Sequence, residues 1–297
     1  MTASPFSSPR SSGKVAGLPA AALLEGDSVS RRINQEIVVL AGWSPAVLLQ
    51  LAHPLVLQGV LDHSVFVAEP DRRLERAHAT VQSFLRLAFG TPREVLATAA
   101  KINGIHDRVH GHLPYHAGSL PGGTRYDAHD PELLRWVHAT LIDVLPRAYE
   151  LLVGPLTARE KDRYYAEAAT VGPLLGMTED FLPRSGPQLC AYLDRMYSGG
   201  QITVTDDARW LAREILRPLK GKPAIERALG PLIKPLYWLN ALPTVGLLPP
   251  PIRHAYGFAW TPLQDAVLRA GGKLTRRLLP CVPPVVRQWP ASRRRNP

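Results

Sequence analysis

Three of the ten histidines in this 297-residue chain fall where a helix would bury them. From Thr91 to about Gly111, Val95, Ala99, Ile102, His106 and Val109 recur at steps of four, three, four and three. That spacing places His106 in the middle of one apolar stripe. His53 stands in the same way with Leu49, Val56 and Val60, and His138 with Leu134, Leu141 and Leu145. A buried neutral imidazole has two ring nitrogens to satisfy, so each position is costly without partners. Taken singly, each reads as a core histidine hydrogen-bonded to a carbonyl or carboxylate. Taken together, they suggest a shared polar task inside an apolar bundle. Haem needs an apolar slot, an axial ligand such as histidine, and cations near its propionates. A helix bundle can provide that slot.

Zinc is the competing reading. His106-Asp107-Arg108-Val109-His110 would set two imidazoles one turn apart, with His112, His116 or His129 as a third ligand. The helical zinc-hydrolase motif wants glutamate at its second position as general base. Asp107 is one methylene shorter, and Arg108 would put a cation beside the metal. No Gly-x-Ser-x-Gly elbow, phosphate-binding loop or dinucleotide fingerprint appears. On the residues alone, a haem ligand, a metal site and a satisfied core histidine all stay open for His106.

Helices must position these groups. Periodicity begins near Ser28 and runs, with breaks, to about Leu279. Ser44 before Pro45 predicts a helix start, as do Thr91-Pro92 with Glu94 and Asp130-Pro131-Glu132. Thr157 with Glu160 and Thr261 with Pro262 predict two more. No alternating strand pattern or hairpin dipeptide is found, so the fold class is all-α. Residues 113–129 read as a long loop rich in Gly, Pro, Tyr and His. Residues 1–26 read as a disordered tail, 27–290 as one helical domain and 291–297 as a basic tail.

The formal net charge is +10, with cations gathered near the C-terminus at Lys273, Arg276, Arg277 and Arg293 to Arg295. No nucleic-acid-binding module or basic stripe with interleaved aromatics accompanies them, so no nucleic-acid partner is expected. A peripheral membrane contact through this basic, proline-rich C-terminal region is compatible with the same charges, and Leu232 to Ile252 is apolar but broken by prolines. No stretch reaches about 18 uninterrupted apolar residues. Two cysteines, Cys190 and Cys281, give no disulfide framework and fit a reducing, cytoplasmic setting.

Several segments together carry a resemblance. The run LLQLAHPLVLQGVLDHS (48–64), Phe89-Gly90-Thr91 followed by Ile105-His106, and DPELLRWVHATL (130–141) are three of them. TAREKDRYYA (157–166) and YGFAWTP (256–262) are two more. Across roughly residues 33–290 the chain resembles the mpaB-type/rubber oxygenase catalytic domain family. The resemblance implies a globin-like helical core with additional helices and a b-type haem. It also implies O2 chemistry on an apolar, isoprenoid-like substrate. Ile105-His106 looks like the family's Met-His motif, which implies His106 as the proximal iron ligand. Arg76 and Thr80 match an Arg-x-x-Lys-Thr segment and would line or support the pocket, but Ala79 stands where that segment has lysine. His53, His110 and His138 are expected as supporting residues around the cofactor. Two other functions stay in view: a non-catalytic lipid- or partner-binding protein of the same fold, and a histidine-zinc hydrolase.

Overall fold

Ser28 accepts a hydrogen bond from the Arg31 amide and so opens the first described helix, where the sequence periodicity begins. The computed structural model describes residues 28–64, 67, 69, 72–217 and 227–293, and the tail expected over 1–26 lies outside these. Thirteen α-helices and one small hairpin make up the regular structure among the described residues. They are α1 (Val29–Asn34), α2 (Trp43–Leu51), α3 (Pro54–His63), α4 (Arg73–Phe89), α5 (Pro92–His106), α6 (Pro131–Leu152) and α7 (Ala158–Ala169). Then come α8 (Gly186–Ser198), α9 (Asp206–Leu216), α10 (Ile233–Gly246), α11 (Pro250–Ala255), α12 (Pro262–Leu278) and α13 (Pro284–Arg287). The all-α expectation therefore holds.

The hairpin, β1 (His110–His112) with β2 (Arg125–Asp127), corrects the reading of 113–129 as loop alone. The strands pair antiparallel, His110 with Asp127 and His112 with Arg125. Three residues are too few to show a two-residue alternation, and His-Gly-His has no β-branched side chain.

Helix starts follow the capping chemistry at most positions. Thr91 with Glu94 and Thr157 with Glu160 form complete capping boxes, and Thr261 forms one with Gln264. Asp130 caps α6 by accepting from the Glu132 amide at 2.9 Å. Ser44 is an exception. A 3-10 turn over Ile37–Gly42 runs straight into α2, so the chain has no extended residue there to act as a cap.

The core is built around α6, whose Trp136, Ala139, Val144 and Ala148 are fully buried. It packs against α2, whose Leu48 and Leu49 are also fully buried. Burying a leucine contributes about 2 kcal/mol. Small residues let the backbones approach. A Cβ on Gly272 of α12 would lie 2.6 Å from the Leu151 carbonyl oxygen, and one on Gly42 would lie 3.0 Å from Ala148 Cβ.

The chain bends by 103° between α2 and α3. Neighbours bond the carbonyls next to this break: Thr203 N–H donates to Ala52 at 2.8 Å, and the Tyr256 hydroxyl donates at 2.6 Å to Leu48, which also accepts from Ala52 N–H. Among the described residues no single helix is long and apolar enough to cross a membrane. At the far end of the chain, Trp289 N–H donates to the Gln35 carbonyl and the Arg31 guanidinium to that of Ser292. The basic tail expected from 291 thus begins with a docked turn, Pro290–Arg293.

Candidate functional site

His106 is the last residue of α5, not a mid-helix residue. Asp107 ends the helix, and the chain turns into β1 within four residues. Val95 and Ala99 of its stripe are buried as expected, while His106 itself is half-buried. Among the described residues its ring makes no hydrogen bond, and its Nδ1 is enclosed without a partner. One turn back, Asn103 donates to the Leu174 carbonyl at 3.0 Å, yet its Oδ1 is likewise buried and unpartnered. Two unsatisfied polar atoms on one helical turn are rare, because each carries its full desolvation cost.

The neighbour of His106 is His129. The two rings meet edge to face, 5.7 Å between centroids. His129 is held in place by its own partners. Its Nε2 donates to Asp107 Oδ1 at 2.9 Å, and its backbone N–H donates to Asp127 Oδ1 at 2.9 Å. Burial first, then the charge of His129, pushes the His106 pKa below the usual imidazole value. His106 is therefore a neutral imidazole at pH 7 with ring nitrogens free of hydrogen bonds, the state in which histidine binds a metal. The sequence offered His129 only as a third zinc ligand. Its placement beside His106 depends on the β1–β2 pairing, which periodicity did not reveal.

The other expected residues lie elsewhere. His110 is an exposed strand residue, so the helical pair one turn from His106 does not exist. The helix ends four residues earlier than that motif needs. His112 and His116 are exposed too. Among the described residues no three His, Cys, Asp or Glu side chains gather closely enough to hold a metal ion. The zinc-hydrolase geometry is absent.

His53 does not continue the helix of Leu49. It occupies the break between α2 and α3 in an extended conformation and caps α3, its Nδ1 accepting from Leu55 N–H at 3.3 Å. Proline at 54 forbids its helical conformation and explains the change. His138 lies in the core of α6 and donates from Nε2 to the Ala168 carbonyl at 3.0 Å, while its Nδ1 is buried without a partner. Burial lowers both pKa values to about 4. An exposed imidazole titrates near ~6.5, so between these values the unfolded chain binds more protons. Stability is full above pH 6.5, falls as the pH drops toward 4, and levels off below. We expect His138→Leu to remove about half of this fall in urea unfolding, with little cost at pH 7. The Ala168 carbonyl keeps a donor in Val171 N–H. An unchanged pH profile would refute the assignment.

Arg76 and Thr80 are exposed on α4, bonded to each other, the hydroxyl also donating to the Arg76 carbonyl at 3.0 Å. Ala79 is exposed beside them. From Leu74 to Thr80 every side chain of α4 is exposed, although the helix packs on α5. Its first turn is fastened by Arg73, which pairs with buried Glu214 of α9 at 2.5 Å.

The family model for "ER-bound oxygenase mpaB/B'/Rubber oxygenase, catalytic domain" matches residues 30–277. The chain belongs to this family. The mpaB/rubber oxygenase match spans α1 to the last turn of α12 and includes His106, Arg76 and Thr80. Oxygenase chemistry is the activity class of the family. Uncharacterized proteins of Mycobacterium tuberculosis and Mycobacterium bovis are each 28% identical to the chain over 220 residues. That covers 74% of this chain and 80% of theirs. No solved structure matches.

Proposed function

We propose that the protein is a haem-b-dependent oxygenase that uses O2 to oxidise an apolar, isoprenoid-like substrate. His106 is the axial iron ligand in this reading. The observation that carries it is the half-buried, neutral His106 ring without a hydrogen bond, followed by Asp107 and braced by His129. These residues fit haem as a single-histidine ligand better than they fit zinc, which needs three or four protein donors. When bound, haem supplies the oxygen chemistry, and the protein supplies ligation, orientation and water exclusion. Arg76 and Thr80, exposed on the helix that packs against α5, are the polar groups assigned to the propionate side. His53 and His138 support the surrounding fold through their backbone bonds rather than through iron. The globin-like description of the core and a cytoplasmic, reducing setting belong to the same proposal.

The test is a visible spectrum of the purified chain, before and after haem reconstitution, with iron quantified alongside. We expect a Soret band with iron in proportion to protein. No Soret absorption after reconstitution would refute the proposal.

A further inference from the structure

The charge of this protein is confined to one end. From Arg227 to the C-terminus there are eleven Lys and Arg residues and one acid, Asp265, which accounts for the +10 of the whole chain. The preceding 226 residues are neutral. Several cations of this end have structural work. Arg253 donates to the carbonyls of Val245, Gly246 and Leu248 at the end of α10, and Arg269 pairs with Asp265. Lys273, Arg276 and Arg277 make no ion pair with any described acid.

These three sit on α12 beside leucines that face water. Leu268, Gly272, Thr275 and Leu279 mark the inner side of α12 and the turn after it, with Gly272 against the Leu151 backbone. Opposite them, Ala266, Ala270, Leu274 and Leu278 repeat every four residues, and all are exposed. Leu274 and Leu278 are 57% and 55% exposed, and Leu263 at the start of the helix is 71% exposed. Arg269, Lys273 and Arg277 form the flanking row. An apolar row with a cationic row along its side is the layout of a helix lying in a lipid headgroup layer. Leucines enter the acyl boundary there, and long basic side chains reach back to the phosphates. Earlier in the chain, α10 exposes Leu236, Trp238 and Leu239 in its first half, and Gly246 at its end packs against Leu268 of α12.

We infer that the outer face of α12 docks this protein onto a membrane surface rich in anionic lipid. Charge complementarity decides the occupant. A second copy of the chain would bring like charges to the same contact, and a nucleic acid would leave the leucines in water. The inference does not depend on haem.

Sedimentation of the full chain with phosphatidylcholine vesicles, with or without ~30% phosphatidylserine, tests it. The chain is expected to pellet with the anionic vesicles and to be released by salt. K273Q/R276Q/R277Q should weaken binding on the order of a hundredfold, since each juxtamembrane cation contributes about fivefold. L274E/L278E should weaken binding comparably while leaving helix content and the melting midpoint unchanged. Undiminished binding by both folded variants would overturn the inference. So would absence of binding to anionic vesicles, or a solution dimer that L274E/L278E breaks.

Discussion

On the proposed haem assignment, His106→Ala is expected to leave the chain folded and to empty it of haem. The side chain is half-buried and its ring makes no hydrogen bond among the described residues, so its removal strands no described partner. The stripe that anchors α5 depends on Val95 and Ala99, which stay in place. Loss of the proposed iron ligand should weaken haem retention by more than the roughly 10- to 100-fold that outer partners of a metal ligand contribute. His129→Ala is the matched control. It removes the ring that faces His106 and should cost only about 10-fold. Added imidazole should restore the Soret band of His106→Ala, which a structural role would not allow. Full haem content in His106→Ala would refute the ligand assignment and leave the family membership intact.

Arg73→Ala is expected to destabilise the protein by about 1.5–3 kcal/mol in urea unfolding. The Arg73 and Glu214 side chains are 14% and 9% exposed, and the pair joins the first turn of α4 to α9. Removing the arginine takes one cation away from the Glu214 half of the pair. The guanidinium also lies over Trp210, 6.0 Å from the ring centre, so packing is lost with the charge. Arg73→Met should recover part of the loss, since its stem restores the apolar contact with Trp210. On the proposed assignment of Arg76 and Thr80 to the haem pocket, Arg73→Ala should also weaken haem binding. A change below about 1 kcal/mol would show that this pair is solvated rather than buried.

Much of the fold was legible in the sequence. The Thr91, Thr157 and Thr261 caps are local chemistry, written within four residues, and they form as read. The family, with its oxygenase class, was legible through segments spread over most of the chain. What failed was non-local. The helix of His106 stops at that residue because the next segment pairs with Arg125–Asp127, and three-residue strands leave no periodic trace. His53 kept the spacing of a stripe across a 103° bend, since spacing alone does not register a break. Pro54 was the local sign of it. Ser44 looked like a cap because a 3-10 turn leading into a helix has no sequence signature of its own.

The C-terminal strap has a consequence for how the chain is made. Trp289 and Ser292 bond to Gln35 and Arg31, and Gln288 donates to buried Glu36 at 2.9 Å, 252 residues away. Helix α1 therefore meets some of its partners only when residues 288–292 leave the ribosome. At about 5–20 residues per second, the opening helix waits at least 10 s or so for its closing contacts. The strap lies beyond residue 277, where the family match ends. Completion of this fold is timed by a segment that follows the family-matched residues 30–277.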